Sequence, residues 1–132
     1  MLAAVRDLEP YQRSRLAASA VRTVPGAMDA AALAAELDGL AGAVSRVYLH
    51  VDLDALDVSV GRANPYAASG GPSLDALLAA IAGVFERFEV AAAALTAYDP
   101  RVDDGGIADA ARRIAARIAR GAADQRLTRA GH

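Results

Sequence analysis

Apolar and polar positions alternate in blocks along the chain, and each block predicts one element. "LAAVRDL" (residues 2–8) is short and apolar at its start, which predicts a strand. "EPYQRSRLAASA" predicts a helix, with Pro10 tolerated in its first turn. "VRTV" predicts a second short strand, closed by Pro25 and Gly26. Asp29 then caps a helix carrying Leu33, Leu37, Leu40 and Val44 on one stripe. "RVYLHVDL" is dominated by β-branched and apolar residues and predicts a third strand.

Residues 57–72, "DVSVGRANPYAASGGP", predict a long loop, whose glycines Gly61, Gly70 and Gly71 read as turn residues. Ser73 caps a helix with a wide apolar stripe: Leu74, Leu77, Leu78, Ile81, Val84, Phe85 and Phe88. "VAAAALTAY" predicts a fourth, buried strand, and "DPRVDDGG" a loop. From Ile107 a last helix buries Ile107, Ala111, Ile114 and Ile118, with Arg112, Arg113, Arg117 and Arg120 on its solvated faces. Strands alternating with helices, and apolar without interruption, predict a parallel α/β sheet. Such sheets bind ligands beyond the carboxyl ends of their strands.

Composition narrows the picture. At 132 residues the chain suits one domain, and 55% hydrophobic content supplies a core. All 14 basic residues are Arg, and the net charge of -2 gives no basic surface for nucleic acid. The absence of Cys excludes disulfides and thiolate metal sites and fits a cytoplasmic protein. The start "MLAAVRDLEPYQ" reads as neither a leader nor a membrane span.

The chemistry concentrates in "VYLHVDLDALDVS", residues 47–59. If the strand continues through residue 54, period-two alternation puts His50, Asp52 and Asp54 on one side. Two neighbouring carboxylates are hard oxygen donors suited to Mg²⁺, Mn²⁺ or Ca²⁺, and a divalent cation relieves their repulsion. Asp52 and Asp54 are therefore the candidate metal ligands. Asp57 is read as ordering the following loop, and His50 as a packed, hydrogen-bonded strand residue. The bland reading is that all the aspartates only tie down loops through backbone N–H groups. "HVDLDA" also looks like the first acidic motif of Y-family DNA polymerases, but Leu56 and Asp57 stand where aromatic residues belong. An aspartate-nucleophile phosphatase would need Thr or Val where Leu56 stands.

"VYLHVDLDALDVS" followed by "ANPYAASGGPSLDAL" resembles the arginase/agmatinase/formiminoglutamase (ureohydrolase) family. There an apolar strand ends in D-x-D-x-x-D-P before a loop closing on Gly-Gly and a helix. "VRDLEP" resembles that family's G-x-R-D strand-to-helix step, and "LTAYDPRVDDGG" its last core strand and loop. The resemblance spans about residues 4–120. It implies one domain segment over residues 1–132, the C-terminal half of a three-layer α/β/α domain with a parallel sheet. It implies a binuclear Mn²⁺ hydrolase cleaving a C–N bond of a guanidino, amidino or formimino compound. Two cations would there lower the pKa of a bridging water. Asp52 and Asp54 match the family's metal-binding aspartates.

Three departures qualify this. The family's Gly-Gly-Asp/Glu-His and D-x-H-x-D motifs are absent, and neither His50 nor His132 sits in such a motif. Ala97 aligns with the glutamate that grips a guanidinium in arginase-like members. Val58 replaces the usual proline. The chain is therefore expected to hold an incomplete metal site, as a C-terminal piece, a decayed remnant, or one partner of a subunit supplying the N-terminal segment. The family also implies homo-oligomers. A non-catalytic α/β interaction module is the competing reading.

Overall fold

The computed structural model describes residues 1–131. The strands are β1 (Leu2–Val5), β2 (Thr23–Pro25), β3 (Arg46–Asp52) and β4 (Glu89–Thr96), and the helices α1 (Pro10–Ala17), α2 (Ala30–Ala41), α3 (Leu74–Arg87) and α4 (Gly106–Ala130). Every predicted element is present. His132 lies outside the described residues.

Local chemistry sets the helix starts. Asp29 accepts the Ala32 N–H at 2.7 Å, and Ser73 accepts the Ala76 N–H at 3.2 Å. Both satisfy a backbone donor that the first turn leaves orphaned. Glu9 and Gln12 form a capping box ahead of Pro10 in α1. Asp103 accepts from Ile107 and Ala108 at 2.9 and 2.8 Å and so closes the start of α4.

The strands pair in parallel, as predicted, but in two separate pairs: β1 with β2, and β3 with β4. The main core gathers Val51, Leu53, Leu56, Leu77, Ile81, Ile107 and Ile114, so α3 and α4 cover one face of the sheet. A second cluster joins Val24 to Leu33, Leu37 and Phe88. α2 packs on α3 and α3 on α4, which puts these three helices in one layer. α1 has no buried residue.

The expectation of strands buried on both faces is corrected. Ala91, Ala92 and Ala93 of β4 are exposed, and Tyr48 of β3 is 61% exposed. On β3, Leu49 and Val51 face the core, while Arg46, Tyr48, His50 and Asp52 on the other side are exposed. Val44 also leaves the α2 stripe: the helix ends at Ala41 and Val44 is exposed.

Candidate functional site

The acidic segment leaves β3 at its carboxyl end, as parallel α/β topology requires of a ligand site. β3 stops at Asp52, and Leu53–Ala55 form a single 3₁₀ turn. The pleat therefore does not set the direction of Asp54, contrary to the expectation that the strand runs through residue 54. Asp52 begins the turn: its Oδ1 accepts the Asp54 N–H at 2.9 Å. Leu53 and Leu56 are buried on the core side, so the turn exposes Asp52 and leaves Asp54 half-buried. Oδ1 of Asp54 is buried and has no hydrogen-bond partner. A desolvated carboxylate oxygen without a donor is unfavourable by several kcal/mol, on the order of 2–7 for a polar group.

Arg6 holds this segment in place, a role that sequence reasoning missed. One guanidinium nitrogen donates to the Ala55 carbonyl at 2.6 Å. The other donates to the carbonyls of Asp54, Leu56 and Ala68 at 2.6, 3.2 and 3.2 Å. Arg6 directly follows β1, so a residue from one strand pair fixes the loop that follows the other. "VRDLEP" was the only sequence signal, and nothing in it identified these acceptors.

Asp57 behaves as read. Its Oδ1 accepts the Ser59 N–H at 2.9 Å and its Oδ2 the Gly70 N–H at 2.7 Å, which ties both ends of the 57–72 loop. The Ser59 hydroxyl and backbone, with Gly70, hold its pKa down at about 2. A carboxylate whose folded pKa lies below its unfolded value stabilises the fold above the unfolded pKa and loses that contribution as pH falls through the folded one. The stability gap between the wild type and Asp57→Ala is therefore expected to be constant above about pH 5 and to shrink between about pH 4 and pH 2. Urea melts across that range check it; a gap independent of pH would remove the carboxylate from the loop's stability.

His50 meets half of its expectation. It is hydrogen-bonded, with Nε2 2.8 Å from Thr96 Oγ1, but it is exposed rather than packed. Tyr48 lies edge-on to it at 6.3 Å. The loops after β3 and β4 do come together: the Asp99 N–H donates to the Ala63 carbonyl at 2.7 Å. The Arg101 guanidinium pairs with Asp99 and holds that carboxyl at about 2. Ala97, directly after β4, adopts φ 64°, a left-handed conformation rare for residues with a side chain.

Asp52 and Asp54 fit a divalent cation as donors. They are hard oxygen donors two residues apart at the end of a strand, and one buried oxygen of Asp54 is unpartnered. Among the described residues, no group of three or more His, Asp or Glu side chains gathers to hold a metal. The pair is thus suited to be part of a coordination sphere.

Comparison with known proteins places the fold. The arginase of Bacillus subtilis superposes with a TM-score of 0.77 at 17% identity, over 89% of this chain and 46% of that one. Formimidoylglutamase from the same organism gives 0.78 at 21% identity, over 87% and 38%. A hypothetical agmatinase from Burkholderia thailandensis gives 0.72 at 20% identity, over 99% and 40%. The chain thus spans less than half the length of each of these structures. No curated protein matches the sequence. Among the described residues no helix is long and apolar enough to cross a membrane. The arginase-family model matches residues 4–123, nearly the whole chain and including β3 with its acidic turn, and the chain belongs to the arginase family.

Proposed function

We propose that this chain is the part of a manganese-dependent ureohydrolase that carries Asp52 and Asp54 to the metal site. The reaction is hydrolysis of a C–N bond in a guanidino, amidino or formimino compound. The buried, unpartnered Oδ1 of Asp54 beside Asp52 carries this reading. When bound, the metal supplies Lewis acidity and an activated water. The chain's own contribution is positional. Asp52 anchors the 3₁₀ turn with Oδ1, and Arg6 fixes the backbone under Asp54. The remaining donors come from a complementing segment or subunit. Ala97, where arginase-like members place their guanidinium-binding glutamate, argues for a substrate other than arginine or agmatine.

Calorimetric titration with Mn²⁺ tests the site. The wild-type chain is expected to bind measurably, and Asp52→Asn or Asp54→Asn to weaken binding about tenfold, a loss of about 1.4 kcal/mol. Equal binding by all three proteins would sink the assignment.

One observation favours a second reading. The Asp52 Oδ1 bond to the Asp54 N–H is the bond expected of an aspartate that only shapes a turn. On that reading the chain is a non-catalytic α/β module. Its melting temperature would then be the same in Mn²⁺ and in EDTA, whereas a bound metal raises it.

A further inference from the structure

The two strand pairs leave a groove between the free edge of β1 and the free edge of β3, with a volume of about 700 Å³. Its walls are consecutive residues of both strands, 1–4 and 47–52, which include side chains pointing to either face. A cavity that touches every residue in turn runs along strand edges, not over a sheet face. Its floor is apolar, formed by Leu33, Leu37, Leu77 and Ile81 of α2 and α3.

Three observations define what fits. The first is direction. Arg6, just past the carboxyl end of β1, donates to Asp54 and Ala55, just past the carboxyl end of β3. The two strands therefore run the same way. The second is width. One missing strand would separate β1 and β3 by about 9.6 Å, twice the strand spacing, a gap an extended arginine side chain and one hydrogen bond can cross. The third is length. A residue of packed strand occupies about 160 Å³, from a spacing of about 4.8 Å, a layer thickness of about 10 Å and a rise of about 3.3 Å. The groove therefore holds four or five residues, about the length of β1.

The backbone is poised for pairing. The Leu2 N–H donates to the Arg22 carbonyl on the β2 side, ahead of the irregularity in β1 between Ala3 and Val5. Alternation turns the Ala3 N–H and carbonyl to the other edge, into the groove. A parallel strand seated there would join both pairs into one continuous sheet.

The geometry points to one occupant. It is a single apolar β-strand, parallel to β1 and β3, from a polypeptide that supplies the part of the arginase fold this chain lacks. The coverage of 46% of the Bacillus subtilis arginase shows how much of such a fold remains to be supplied. This inference does not depend on the metal, and its test is run in EDTA.

The probe is this full chain with the strand Val-Thr-Val-Thr-Val joined ahead of Met1 through a flexible Gly/Ser linker of about 18 residues, enough for a parallel crossover. The control strand is Val-Pro-Val-Pro-Val, which lacks the donors. Exchange of the Ala3 amide is followed by NMR, with melting by circular dichroism. The Val-Thr strand is expected to slow Ala3 exchange at least tenfold and to raise the melting temperature, and the Pro strand to do neither. Unchanged Ala3 exchange, or equal effects of both strands, would overturn the proposal. So would a dimer of the unmodified chain, by light scattering, in which the Ala3 amide is already protected, since a second copy would then be the occupant.

Discussion

Arg6→Met is expected to lower the melting temperature by about 10 °C, from a loss of about 2–3 kcal/mol at about 4 °C per kcal/mol for a domain of this size. Methionine keeps most of the apolar stem, so the change isolates the guanidinium. What is lost is a charged donor shared by four carbonyls, those of Asp54, Ala55, Leu56 and Ala68. Hydrogen bonds to a charged group contribute about 1.5–3 kcal/mol each, but carbonyls near the surface regain water when released, so the sum stays well below four times that. Arg6→Lys should recover little, because one ammonium cannot span acceptors both before and within the 57–72 loop. The segment carrying Asp54 would loosen together with the fold, so Mn²⁺ binding should weaken in the same variant. Thermal melts of the wild type, Arg6→Met and Arg6→Lys decide it. A fall below about 2 °C would mean that the turn after β3 holds itself.

Arg6 also marks where sequence reasoning reaches its limit. Its acceptors lie 48 to 62 residues away along the chain, so no local pattern could connect them. Features with local causes were legible. Asp29 and Ser73 stood before apolar stripes at helical spacing, and both cap the helices expected of them. The apolar runs at residues 46–53 and 90–98 gave β3 and β4. Their burial was not legible: a run such as "VAAAAL" looks the same whether one face or both are covered, because alanine suits either. Asp54 was misdirected for a related reason. Alternation predicts side only while the strand lasts, and the turn at Leu53–Ala55 follows from burying Leu53 and Leu56 together, which is a tertiary demand. The acidic pair itself was visible because two carboxylates after an apolar strand are costly unless something uses them.

Gly71→Ala is expected to destabilise the chain by about 3 kcal/mol, the upper end of the overpacking range, while Gly70→Ala costs about 1 kcal/mol. The two neighbours fail for different reasons. Gly70 has φ 84°, and a Cβ there meets nothing within 4 Å. Its penalty is backbone strain alone, and Gly70→Asn should relieve part of it because asparagine tolerates left-handed conformations. A Cβ on Gly71 would lie 2.3 Å from the Ala55 carbonyl oxygen, 2.7 Å from the Asp57 nitrogen and 2.8 Å from the Leu56 carbonyl carbon. All three are backbone atoms, so no side chain can swing aside. Gly71 is therefore required for close approach, where the sequence suggested only a turn residue. The clash falls on the stretch that Arg6 holds and that carries Asp54 at its start. Relief would have to come from moving that stretch. Gly71→Ala should consequently reduce Mn²⁺ affinity as well as stability, while Gly70→Asn should leave affinity near wild type. Urea melts and Mn²⁺ titrations of the three variants measure both effects. Equal destabilisation by Gly70→Ala and Gly71→Ala would show that conformation, not contact, governs this corner of the site.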